Sequence, residues 1–115
     1  MVDITKTRAQ LITAAARKAM ILDAGETLEA DDSAIFDGYI EPLLLQLKAD
    51  GIVSIVGSDS IPSEYFLPLA ALLANACIAD FGGQFDPGVK EYQESMLKKT
   101  ASEGATYEVL QAEYF

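Results

Sequence analysis

The chain has 115 residues, half of them hydrophobic, and carries 8 Lys and Arg against 18 Asp and Glu, a formal charge of −10. This length fits one domain with a packed core. The apolar content excludes a disordered chain, and the acidity excludes a surface that wraps nucleic acid through phosphate contacts.

One cysteine and no histidine exclude an internal disulfide, a Cys/His metal cluster and the Ser–His and Cys–His nucleophile pairs. The opening Met-Val-Asp-Ile-Thr-Lys has no apolar signal core, so secretion is not expected and cytoplasmic synthesis is. The longest uncharged run, residues 65–79, contains Pro68 and Asn75. It is short for a membrane span and reads as a buried core helix.

In chain order, residues 5–22 carry Ile12, Ala15, Ala16, Ala19 and Met20 at helical spacing. Alanine-rich composition favours a helix there, with Gly25 as a left-handed stop. A second helix is expected after the acidic group Glu29, Asp31 and Asp32, which suits the positive end of a helix dipole. Ile35, Phe36, Tyr39, Ile40, Leu43, Leu44 and Leu47 continue it at three- and four-residue steps. Pro42 is a potential kink, and Asp50-Gly51 is the stop. Residues 52–56, Ile-Val-Ser-Ile-Val, are β-branched and short, and a turn cluster follows them. No partner strand is evident nearby, so residues 51–60 are expected to form an extended loop arm.

A third helix is expected from Pro62, capped at Ser60 or Ile61, with Pro68 as a bend. It is apolar nearly all round and should be the most buried element, ending at Phe81-Gly82-Gly83. A fourth begins at Asp86-Pro87, a cap residue followed by proline at the first helical position. Its apolar stripe is Val89, Tyr92, Met96 and Leu97, and it fades at Ser102-Glu103-Gly104. The last stretch, residues 105–115, mixes Tyr107, Val109, Leu110, Tyr114 and Phe115 with Glu108 and Glu113. It shows no clear helical seam. An apolar, aromatic end points to a docking surface, on this subunit or on another.

The chemistry-bearing groups are few. Cys77, amid Ala76, Ile78 and Ala79, reads as a small core residue. Asp31 with Asp32 fits a helix start better than an acid–base pair. Glu108 with Glu113 lies in a tail without a visible pocket. Asp23, Glu26, Glu29, Asp31 and Asp32 do not match EF-hand spacing. Lys6, Arg8, Arg17 and Lys18 form a loose basic patch, expected as a solvated face or a salt-bridging surface toward an acidic neighbour rather than a phosphate site.

The expected fold is therefore mainly α: a small four-helix bundle over residues 1–104, with one short extended loop or strand, and an extended C-terminal docking arm over residues 105–115. This arrangement resembles the head–tail connector proteins of tailed bacteriophages, also called adaptor, head-completion or tail-accessory proteins. The resemblance is carried by residues 11–18 with Ile21-Leu22 and Gly25-Glu26, by residues 61–69 leading to Asp80-Phe81-Gly82, and by the ending Tyr107-Glu108-Val109-Leu110-Gln111-Ala112-Glu113-Tyr114-Phe115. It implies a virion structural protein of the neck, made in the bacterial cytoplasm, with no cofactor, metal or reaction. Such proteins form a homo-oligomeric ring, typically of twelve copies, under the portal protein. The ring extends the DNA channel, passes DNA without specific binding, and docks tail or stopper proteins.

An acidic lumen suits DNA sliding, and a closed ring needs heterologous interfaces. Tyr107, Val109, Leu110, Tyr114 and Phe115 in the arm, with Ile52, Val53 and Ile55 in the loop, are the candidate partner-binding residues. Aromatics dominate interface hot spots. The competing readings are a strand-rich tail terminator or stopper, a small acidic regulatory module that captures a basic partner, and an enzyme, which the missing motifs disfavour. No membrane association is expected.

Overall fold

A computed structural model describes residues 5–23, 25–55 and 57–114, with side chains described through residue 102. In chain order it contains β1 (Thr5–Lys6), α1 (Arg8–Lys18), α2 (Ala30–Ala49), β2 (Ile61–Pro62), α3 (Ser63–Cys77) with a 3-10 turn (Ile78–Phe81), and α4 (Pro87–Tyr114). The fold is mainly helical, as a small bundle should be. β1 and β2 pair antiparallel, with Thr5 opposite Pro62 and Lys6 opposite Ile61.

The first helix is shorter at both ends than its composition predicts. At its start the chain is extended, because residues 5–6 take β2 as a partner. A reciprocal capping box then opens α1: the Gln10 N–H donates to Thr7 Oγ1 (3.1 Å) and the Thr7 N–H donates to Gln10 Oε1 (2.8 Å), satisfying two otherwise orphaned donors. Leu11, Ile12, Ala15 and Ala16 are buried; the two alanines let the helix lie close to α3. At its far end, the Met20 N–H donates to the Arg17 carbonyl and the Ile21 N–H to the Ala16 carbonyl, both at 3.0 Å. This is a Schellman closure, whose αL position usually holds glycine. Here it holds Met20, at φ 62°. Met20 was expected in the apolar stripe; the closure turns it out of the helix, 88% exposed.

The helix α2 matches its pattern. Phe36, Ile40, Leu44 and Leu47 are buried at steps of three and four, with Asp31 and Asp32 in its first turn and Pro42 inside it. The same closure ends it, now with Gly51 at φ 70° and the Ile52 N–H donating to the Leu47 carbonyl at 3.0 Å. Of the chain that follows, residues 52–55 and 57–60 are loop rather than strand.

The helix α3 is the hub. Leu69, Ala70, Leu72, Leu73, Ala74, Asn75 and Cys77 are buried, and α1, α2 and α4 all pack against it. By length and composition alone the span Ser63–Phe81 is apolar enough to cross a membrane; here the other helices cover its buried side. Phe36 of α2 stacks on Phe81 with ring centroids 5.3 Å apart, which adds to the gain from their burial. Pro62 sits in β2, one residue before the helix it was expected to begin.

The start of α4 is as expected. Asp86 Oδ1 accepts from the Gly88 N–H at 2.9 Å, and Pro87 is the first helical residue. Its far end is not. The predicted stop at Gly104 and the extended arm beyond it are replaced by continuous helix through Tyr114. A single glycine costs about 1 kcal/mol in a helix interior. The surrounding Ala, Glu, Leu and Gln are good helix formers and offset it.

Candidate interaction surfaces

The basic residues fall into two groups with different roles. Arg8 is committed inside the fold. Its Nε ion-pairs with the Asp37 carboxylate, Nη2 donates to the Asp37 carbonyl (3.0 Å), and Nη1 donates to Ser58 Oγ (2.7 Å). The Arg8 N–H donates to Asp59 Oδ1 at 3.1 Å, and Glu41 lies 3.6 Å from Nη1. One side chain thus ties α1 to α2 and to the loop before β2. The Asp37 hydrogen bond holds the guanidinium pKa above its ordinary value against partial burial. Lys6 places its ammonium 5.8 Å from the centroid of the Phe66 ring. Arg8 is thereby not left for an external phosphate.

Arg17 and Lys18 remain exposed at the C-terminal end of α1, with no ion pair among the described residues. They favour the negative end of the helix dipole. Lys18 also lines an open cleft of about 280 Å³ between the end of α1, the middle of α3 and the start of α4. The cleft floor is small and apolar: Ala19, Ala71, Ala74, Ile78 and Val89. Asn75 and Gln84 complete it. Asn75 is fixed in place, donating from Nδ2 to the Asp86 carbonyl and accepting the Asp86 N–H on Oδ1, both at 2.8 Å.

Three exposed apolar side chains stand beside cleft residues in sequence. Met20 follows Ala19, Phe85 (47% exposed) follows Gln84, and Tyr92 (61% exposed) is one helical turn beyond Val89. Tyr92 was expected in the inward stripe of α4; the fully buried position is Leu97, with Val89, Gln93 and Met96 half-buried beside it. The sequence signal for this surface was the basic pair Arg17-Lys18 beside an apolar Met20 with no adjacent glycine.

The expected partner-binding residues separate. Val53 is 8% exposed and part of the core, and Ile52 and Ile55 pack against it. The loop therefore turns these side chains inward, where apolar burial is favourable. Tyr107, Val109, Leu110 and Tyr114 lie on the distal part of α4, whose side chains are outside the described residues, as is Phe115.

Cys77 is buried, and burial, reinforced by the charge of Asp80, pushes its thiol up to about 12. It is a packed thiol rather than a nucleophile. Tyr39 lies 3.3 Å from an Asp80 carboxylate oxygen, and that charge raises its pKa, with desolvation and the hydrogen bond adding to it. The carboxylates Glu26, Glu29 and Asp32 border a second, polar pocket of about 180 Å³. Among the described residues no group of three or more His, Cys, Asp or Glu side chains is placed to hold a metal ion.

No known family model, characterised protein or solved structure matches this chain.

Proposed function

We propose that this chain is a structural assembly protein, a head–tail adaptor whose copies form a ring under a phage portal, extend the DNA channel and dock the tail. The observation that carries the reading is the length of α4. It has 28 residues against 15 in its packing partner α3. At 1.5 Å per residue it is about 20 Å longer. Its last turns carry Tyr107, Val109, Leu110 and Tyr114, residue types that anchor interfaces. A bundle with a long, aromatic, helical extension is built to reach another chain. The −10 charge suits a channel wall along which DNA slides, because it offers the phosphates no strong partners.

The strand content weighs against a terminator or stopper. Among the described residues the strands are the two-residue pair β1 and β2. The inward-facing loop residues 52, 53 and 55 are not part of the proposed contact; the distal part of α4 is.

Native mass spectrometry of the full chain mixed with purified phage portal rings tests the reading. A complex carrying a defined ring of copies is the expected result. Deleting residues 105–115 should leave a folded bundle that does not join the assembly. A chain that ignores portal rings and instead binds a basic protein in a salt-sensitive way would overturn the adaptor reading in favour of an acidic regulatory module.

A further inference from the structure

We infer that the cleft between α1, α3 and α4 binds a small organic carboxylate with an apolar body, of the class of short- and medium-chain fatty acids. The inference goes beyond the assembly reading and does not depend on it.

The size of the cleft sets the class of ligand first. At about 280 Å³ it sits at the lower edge of the ~300–1,000 Å³ usual for ligand clefts. That space suits one slender chain and is small for a nucleotide or a fused-ring cofactor. The floor of alanines with Ile78 and Val89 presents apolar side chains, against which burial of methylenes is favourable.

The charge of the head group follows from the donors. Lys18 is the single charged lining residue among the described residues, with Arg17 beside it in sequence. Their charges answer the negative end of α1. On the α4 side, Val89 lines the cleft from the first turn of its helix, so the positive end of the longest helix borders the same space.

Asn75 supplies a third attraction. It lines the cleft while only 8% exposed. Its amide carries two N–H donors. One goes to the Asp86 carbonyl, and no acceptor among the described residues takes the other. A buried donor left over in this way favours an acceptor that arrives from outside. The Asp86 carboxylate is turned into the first turn of α4, where it accepts from the Gly88 N–H. Ammonium, helix start and spare amide hydrogen all favour an anion, and an ionised carboxylate offers two acceptor oxygens and no donor.

The rim provides cover. Of the five large hydrophobic side chains exposed among the described residues, Met20, Phe85 and Tyr92 flank cleft residues in sequence. Apolar residues scattered singly need no explanation, but a group at one opening does. Unbranched Met20 is adaptable and can fold over an alkyl chain lying in the cleft. The buried position of the Asn75 amide favours a ligand slim enough to enter over one laid across the rim.

The probe is sodium octanoate, titrated into the full chain and followed by nitrogen–proton correlation NMR. Saturable shifts of the Asn75 side-chain amide are expected, with a dissociation constant on the order of 0.1–1 mM for a ligand of about ten heavy atoms. Octanol, with the same chain and no charge, should bind about fivefold more weakly, and octylammonium should not bind. Lys18→Gln should weaken octanoate about fivefold, the scale of one exposed ion pair, and leave octanol unchanged. That contrast separates loss of charge from damage to the fold. Ala71→Leu, at a half-buried lining position, fills the cleft and should abolish binding of both, with the circular dichroism of the wild-type chain retained.

Octanoate without saturable shifts at Asn75, or octanol and octylammonium binding as well as octanoate, overturns the inference. So does an acidic, leucine-rich helical peptide that competes for the cleft about tenfold more tightly than octanoate, which would give the cleft to a protein partner. None of these results bears on portal binding, so this inference and the adaptor reading fail independently.

Discussion

The Asn75 side chain and the Asp86 backbone exchange two hydrogen bonds, each 2.8 Å long. The amide of Asn75 thereby acts as a peptide group projected from α3. It pairs with the residue whose own side chain caps α4 through the Gly88 N–H. The fold holds its longest helix at this point and again at Leu97, which is fully buried. Asn75 is the single buried polar residue of the described core, and both ends of its amide are used. Buried polar groups are tolerated when paired in this way.

Replacing Asn75 by alanine removes both bonds and leaves the Asp86 peptide group unpaired at the helix start. The expected cost is about 2–3 kcal/mol, from two hydrogen bonds and the unmet polar groups. Urea denaturation measures it. Hydrogen exchange should locate the loss in the first turns of α4. An unchanged urea midpoint would show that water replaces the pair without cost.

Met20→Gly should stabilise the protein by about 1 kcal/mol, since glycine adopts positive φ without the Cβ clash. Met20→Val should destabilise it, because a β-branched residue is a stronger outlier there. Thermal melts of the two variants should move in opposite directions. Movement in the same direction would mean that the side chain, not the backbone, governs the site.

Gly83 leaves no room for a side chain. A Cβ built there would lie 2.4 Å from Ile78 Cγ1. Gly83→Ala should therefore cost about 1–3 kcal/mol, the range for forced overpacking. Ile78→Ala removes the obstructing atoms, so the double variant should be less unstable than the two single costs added together. A double-mutant cycle reads this coupling; simple additivity would refute the clash.

Burial holds the Cys77 thiol protonated to about 12, against 9.0 for a free thiol. Between those values the unfolded chain binds fewer protons than the folded one, so stability falls as pH rises from about 9 toward 12. Below 9 the contribution is fully present. Urea midpoints at pH 7, 9 and 10.5 should show this slope in the wild-type chain and a shallower one in Cys77→Ala. Tyr39 adds a slope of the same sign, and because the Cys77 charge is one of the causes that raise its pKa, after Asp80 and desolvation, that slope also lessens in Cys77→Ala. The thiol should also react with a disulfide reagent only at the rate of unfolding; rapid labelling of the native protein would contradict its burial.

What the sequence made legible was local. The helix α2 was readable because Phe36, Ile40, Leu44 and Leu47 repeat at one helical spacing and Gly51 ends them. Asp86-Pro87 marked the start of α4 for the same reason: cap and first turn are adjacent in the chain. The pairing of Thr5 and Lys6 with Ile61 and Pro62 was not readable, because neither dipeptide has a strand pattern and the partners are far apart. Met20 was misplaced because its closure uses backbone bonds to Ala16 and Arg17 without the glycine that usually signals it. Gly104 looked like a stop, but a glycine ends a helix only where the backbone turns left-handed, and composition does not record that turn. The cleft was least visible, since its walls come from three helices and its floor is made of alanines that look like filler.

The Arg8 hub sets an order on how this molecule can be made. The Arg8 N–H finds its acceptor on Asp59, 51 residues later, and β1 waits for β2 just beyond. At 5–20 residues per second, synthesis leaves the first segment without these partners for roughly 3–10 s. During that time α1 has its capping box, its alanines and, once α2 is made, the Arg8 pairs with Asp37 and Glu41 to hold it. Closure of the N-terminus is thus a late event, and α3, the hub of the packing, follows directly after the partner strand. A nascent chain stalled before Ser58 would hold α1 and α2 with no central helix to pack against and Arg8 with only its partners on α2.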